Sequence, residues 1–125
     1  MFRFIEGLPH DVLAIEAVGK VTHQDYRETL IPKAESMMAA GPIRMLYILG
    51  NEFAGFELEA LWDDAAFGLR HWHDFSDIAV ITDHAWVRAM VSMFKPFFHG
   101  RVRLFAVSEQ AAAKEWIANS DRSST

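Results

Sequence analysis

The run His71-Trp72-His73-Asp74 holds the densest set of metal-ligand residue types in the chain. Chelation on one helix needs ligands three or four residues apart on a shared face. His71 and His73 are two apart, roughly 200° around a helix, so they diverge. His71 and Asp74 keep the i, i+3 spacing, but two ligands are too few. The run reads as a polar helix end, where histidine suits the negative end of the helix dipole. Asp63-Asp64 resembles a carboxylate pair for acid–base work. Neighbours in a helix point about 100° apart, so they cannot share a proton, and the pair reads as a solvated face. Gly50 and Gly55 are five apart with Phe53 and Phe56 between them, a poor phosphate cradle. No Ser stands in a G-x-S-x-G elbow. The absence of Cys excludes disulfides, thiolate zinc sites and a cysteine nucleophile. These patterns give no catalytic residue, no metal and no cofactor, and an enzyme is the least supported reading. A pocket holding His23, His71 or His84 beside a carboxylate would revive it.

The segment around Trp86 offers adhesion instead of catalysis. Trp86, Met90, Met93 and Phe97 form one helical stripe, and Val87, Val91, Phe94 and Phe98 form a second beside it. Arg88, Ser92, Lys95 and His99 leave only a narrow polar strip. One stripe suffices for a helix lying on a sheet. The surplus demands a deeper core, a subunit interface, a ligand pocket or a membrane surface. Charge sharpens the point. From His84 to Ser108 there is no acidic residue, while Arg88, Lys95, Arg101 and Arg103 supply +4. The rest of the chain holds 8 basic and 17 acidic residues, hence −9. An anionic amphiphile, an anionic membrane surface or an acidic protein face suits that combination. The candidate site lies between the loop Asn51 to Phe56 and this helix. Phe53, Phe56, Trp86, Met90, Met93, Phe94 and Phe97 would supply apolar contact, and Arg88 and Lys95 would meet the anionic part of the partner.

The elements that must position these residues follow from periodicity. The first twenty residues read as a hairpin: Phe2, Phe4 and Leu8, then Val12 to Val18, with turn chemistry in Gly7-Leu8-Pro9-His10-Asp11 and Gly19 ending the second strand. Thr22 and Asp25 form a capping-box pattern. Tyr26, Leu30, Ala34, Met37 and Met38 then share a helical face, with Pro32 predicting a kink or two short helices, itself opening the second. Ile43 to Leu49 is a buried strand. Leu58, Leu61, Trp62, Ala65, Leu69 and Trp72 form the apolar stripe of a second helix. Ile78 to Ile81 is another buried strand. A third helix runs from about His84 to about Phe94, before Pro96 and Gly100 break it. Val102 to Val107 is the last strand, and Ser108 caps a final helix through Trp116 and Ile117. The order ββαβαβαβα predicts an α/β fold: a single mixed, mostly parallel five-stranded sheet with about four helices and right-handed crossovers. At 125 residues and 51% apolar content the chain suits one globular domain, over 1–118, followed by a disordered polar tail, 119–125.

The chain is similar to the SpoIIAA-like family, small proteins related in fold to STAS domains and more loosely to CRAL-TRIO lipid-binding domains. The residues that carry the resemblance are Ala60-Leu61-Trp62-Asp63-Asp64, Phe67-Gly68-Leu69-Arg70-His71, Ile78-Ala79-Val80, Trp86, Pro96-Phe97-Phe98, Arg103-Leu104-Phe105 and Ala113-Lys114-Glu115-Trp116-Ile117. The resemblance implies a STAS-like α/β fold and no particular reaction. STAS proteins that antagonise anti-sigma factors carry a phosphorylatable Ser at a helix N-terminus after the third strand, where added negative charge is welcome. Here that region is Gly50-Asn51-Glu52-Phe53-Ala54-Gly55-Phe56. No Ser or Thr stands between Ser36 and Ser76, so that switch cannot operate at its usual place.

The expected function is a non-catalytic binding module. The CRAL-TRIO kinship implies an amphiphilic or lipid-like small molecule. The STAS kinship implies the alternative, a regulatory or self-associating domain that meets a protein partner or a second copy through the third helix. An acidic net charge of −5 argues against nucleic acid. No apolar run approaches the roughly 18 residues that span a bilayer, which leaves peripheral membrane contact. The first residues lack the pattern of a signal peptide, and a soluble, cytoplasmic protein is the expectation.

Overall fold

Apolar runs without polar alternation become the centre of the sheet. The computed structural model describes residues 1–71 and 73–123, with the backbone alone over 120–123. Strand β4 (Ile43–Leu49) is buried at every position, as a strand covered on both faces must be. β2 (Val12–Ala17) and β6 (Phe75–Thr82) flank it in parallel. β7 (Arg101–Phe105) adds to β6, also parallel. β1 (Phe2–Phe4) is the antiparallel edge, with Phe2 opposite Ala17. The order is β1-β2-β4-β6-β7, the mixed, mostly parallel five-stranded sheet expected of this sequence.

Two further strands carry no signal in the sequence. The chain does not stop pairing at Gly19. It turns there, with Gly19 at φ +67°, and β3 (Gly19–Val21) pairs in parallel with β5 (Phe53–Phe56) in a separate two-stranded sheet. The expected loop from Asn51 to Phe56 is therefore a turn followed by a strand. Segments of three and four residues are too short to show a period.

Thr22 and Asp25 form the predicted capping box: Asp25 N–H donates to Thr22 Oγ1, and Thr22 N–H donates to the Asp25 carboxylate. Helix α1 (His23–Asp25) passes into a π-helical segment, Tyr26–Leu30, and then into α2 (Ile31–Met38). Pro32 stands in the first turn of α2, where its missing N–H costs nothing. Just before it, Ile31 N–H reaches back five residues to the Tyr26 carbonyl. The wider π turn lets the chain meet a ring that crowds the preceding carbonyls. The expected separation into two short helices does not occur: the backbone stays helical from His23 to Met38, and the π turn is the irregularity that accommodates Pro32.

Each parallel crossover moves one strand further in the same direction. Right-handed connections therefore put α1, α2, α3 (Leu58–Arg70) and α4 (Ala85–Phe94) on one face. There Leu13, Ile15, Met45 and Tyr47 pack against Tyr26, Leu30, Phe67 and Val87. α5 (Gln110–Ser123) covers the opposite face, with Ala113 and Ile117 in the cluster that holds Leu46, Ile48, Ile81 and Phe105. Ser108 does not cap α5 directly. It lies in a 3-10 turn, Val107–Glu109, whose Glu109 carboxylate accepts the Ala106 N–H. α5 also runs past Ile117, so its last turn overlaps the segment expected as a tail. Residues 124 and 125 lie outside the described ones.

Arg44 is a charge inside the buried strand. Its guanidinium donates to both Asp11 carboxylate oxygens and to the carbonyls of Ile117 and Ala118. It thus clamps the end of α5 to β4. The bond from Arg44 holds the Asp11 carboxyl below the usual carboxylate range, against the opposing effect of burial.

α3 departs most from expectation. Its stripe of Leu58, Trp62 and Leu69 faces outward, and Ala60 and Phe67 are the residues buried. Trp72, the last member of the expected stripe, lies outside the described residues. The inner side of α3 is polar as well. His23 Nδ1 lies 2.5 Å from Asp63 Oδ2, and the Tyr26 hydroxyl donates to Asp64 Oδ1 at 3.0 Å. Asp63 and Asp64 are therefore not a plain solvated face; each reaches to the segment 22–26 beneath. Both carboxylates bond toward that segment, Asp64 while remaining exposed, and the large apolar side chains of the helix are left in water.

Candidate functional site

The β3–β5 pairing sets Phe53 and Phe56 beside the start of α4. Phe53 is buried, and its ring meets Phe56 at 5.0 Å, His84 at 5.3 Å and Trp86 at 6.0 Å between centroids. Trp86 stands edge-on to Phe56, also at 6.0 Å. Gly55 within β5 adopts φ +117°, a conformation that side-chain-bearing residues rarely take. His84 precedes the first turn of α4, with its Nε2 3.2 Å from the Gly50 carbonyl oxygen. Three residues of the predicted site, Phe53, Phe56 and Trp86, are thus brought into one aromatic cluster.

Along α4 the two predicted stripes part company. Val87 is buried, and Val91 and Phe98 pack against the core. Trp86, Met93, Phe94 and Phe97 are exposed, from 46% for Trp86 to 76% for Phe97, and Met90 is half-buried. The sheet absorbs one stripe, as a single face should, and Phe94 joins the outer one. The helix ends in a 3-10 turn, Lys95–Phe97, which carries Lys95 and Phe97 to the surface. Arg88 does not face outward with them. Its guanidinium donates to the carbonyls of Thr82 and Phe105, at the ends of β6 and β7. Lys95 is the exposed cation of the predicted pair.

Leu58, Trp62 and Leu69 of α3, members of the predicted apolar stripe, are exposed as well, on a helix that covers the same side of the sheet as α4. Periodicity finds a stripe but not the side it faces. The adjacent Asp63-Asp64, bonded inward, was the available clue. Among the described residues, no group of three or more His, Cys, Asp or Glu is placed to hold a metal ion. His71 bridges two carboxylates, with Nδ1 2.8 Å from Asp74 and Nε2 3.0 Å from Glu35. A hollow of about 250 Å³ lies at the ends of β4 and β6, lined by Leu49, Gly50, Asn51, Asp83, His84 and Val107. Its Asp83 carboxylate accepts the Val107 N–H, and His84 lines the same hollow. Among the described residues no helix is long and apolar enough to cross a membrane.

Comparison with known proteins agrees with this architecture. The SpoIIAA-like family profile matches residues 12–118. A solved structure similar to this chain is that of an uncharacterised protein of the DUF3478 family with a SpoIIAA-like fold, from Shewanella loihica PV-4. It is 29% identical, with a TM-score of 0.75, over 94% of this chain and 92% of that one. No curated protein matches the chain.

Proposed function

The chain belongs to the SpoIIAA-like family, and from that premise we propose that it is a non-catalytic binding module for an amphiphilic, lipid-like molecule with an anionic head. The observation that carries the reading is the exposed apolar row of α4 and its 3-10 turn, running from the Phe53–Phe56–Trp86 cluster to Lys95 and Phe97. Contiguous apolar surface of this kind on a small chain is normally there to be covered. Methionine and aromatic side chains adapt to a flexible occupant. Acyl chain would lie along Trp86, Met90, Met93, Phe94 and Phe97. Lys95 would meet the head group, and Arg88 adds positive charge from the strand ends.

Titration with oleate below its micellar concentration, followed by tryptophan emission, is expected to saturate. Oleyl alcohol should bind more weakly, and Phe97→Glu, at an exposed position, should abolish the oleate response while leaving the fold intact. A flat response to oleate across the titration would sink the proposal.

A second reading is favoured by Leu58, Trp62 and Leu69. Added to the α4 row, they give the chain more exposed apolar side chains than one acyl chain would cover. A second copy of the chain, or a regulatory protein, would bury them. Sedimentation that shows a dimer, lost on Trp62→Glu, would favour this reading over the first.

A further inference from the structure

We propose that the free edge of β7 is a docking site for an extended acidic segment of a partner protein, which adds to the main sheet as a further strand. β7 ends the strand order and pairs with β6, and among the described residues no strand lies beside its other edge. A groove of about 520 Å³ follows that edge, with Gly100 to Arg103 along it, Lys95 and Pro96 on the α4 side and Trp116 on the α5 side. Unpaired strand edges are templates for pairing, and peptides use them by strand addition, with side-chain pockets giving specificity.

The lining names the occupant's chemistry. All three of its charged residues, Lys95, Arg101 and Arg103, are basic. Arg101 and Arg103 are two apart on one face of the strand, and both guanidinium groups lie over the Trp116 ring, at 5.9 and 5.3 Å from its centroid. Arg103 also lies 4.8 Å from the Phe105 ring centroid, and Arg101 donates to Asp77 at 2.7 Å. Cations held on aromatic planes are already ordered, so less freedom is lost when a carboxylate arrives. The same residues disfavour a second copy of β7, because edge-to-edge pairing would set arginines against arginines. Carboxylates at alternate positions would face this wall while the apolar residues between them face away.

This surface shares Lys95 with the proposed amphiphile site but not Arg103 or Phe97, so variants at those two positions let the two proposals fail independently. The test uses the full chain and a capped hexapeptide alternating valine and glutamate, followed by calorimetry and tryptophan emission. Saturable binding is expected, at least tenfold tighter than to the valine–lysine counterpart. Backbone N-methylation of alternate residues should weaken it at least tenfold. Arg103→Glu and Lys95→Glu should each weaken it severalfold, with folding checked by circular dichroism. Phe97→Glu should leave it unchanged. Equal affinity for the N-methylated peptide would overturn the proposal, since charge alone would then explain the binding. So would binding of phosphatidylglycerol vesicles or an oligonucleotide at this edge, read by its loss in Arg103→Glu, with none of the peptide.

Discussion

The two tyrosines are the only ones in the chain, and they share a hydrogen bond in the core. The hydroxyls of Tyr26 and Tyr47 are 3.1 Å apart, Tyr26 also donates to Asp64, and Phe2 stands edge-on to both rings. Burial raises both phenols well above the ordinary 10.0, and the charge of Asp64 adds to the rise. Loss of water around the bond to Tyr26 raises the Asp64 carboxyl from its ordinary value, against the lowering effect of that bond, although the residue is exposed overall. The sign for stability follows from linkage. A phenol raised in the folded state favours folding fully below 10.0, and that contribution is lost as pH rises through the folded value. No tyrosinate absorbance should therefore develop near pH 10 while the chain stays folded. It should instead appear together with alkaline unfolding seen by circular dichroism. A tyrosinate signal rising ahead of unfolding would show that one hydroxyl is open to water. Tyr26→Phe should leave a single phenol titrating in that same step.

At the scale of elements, α4 makes the sharpest division between what holds the fold and what is left over. Val87 faces the sheet and Met93 faces water. Val87→Ala should cost about 2 kcal/mol, for lost transfer energy and the void left behind. Met93→Gln should change stability by no more than about 0.5 kcal/mol. Urea denaturation of the two variants beside the parent measures both, and a Met93→Gln loss as large as that of Val87→Ala would mean that the outer stripe is core after all. The double stripe of α4 was legible in the sequence because ten residues hold nearly three turns. So were β4, whose apolar run is long, and the Thr22–Asp25 cap, whose chemistry is local. β3 and β5 were not, since short strands acquire meaning only from each other. The stripe of α3 was visible, but its direction was not. That depended on His23 and Tyr26, some 40 residues earlier, drawing Asp63 and Asp64 inward. The bonds of Arg88 were hidden for the same reason: its acceptors, Thr82 and Phe105, come from two strands that only the fold brings together.

The whole molecule is electrically lopsided. Residues 84–108 carry +4 and no acid, while the rest of the chain carries −9. Its greasiest exposed helix lies within the positive part. The two readings of that helix therefore respond to salt with opposite sign. An anionic amphiphile is drawn to the positive zone, and added salt screens the attraction as the Debye length falls from about 10 Å at 0.1 M to about 3 Å at 1 M. Self-association through the same surface instead brings two positive zones together. Salt relieves that repulsion and leaves the apolar contact intact, or strengthens it where the anion is excluded from surfaces. Oleate affinity should thus fall as sodium chloride rises, while any dimer seen by sedimentation should tighten over the same range. If oleate affinity holds constant across the range, the basic zone takes no part in recognition and α4 binds by grease alone. If a dimer loosens with salt, its two halves meet through opposite charges, positive zone against acidic remainder, and the interface is not the α4 face set against itself.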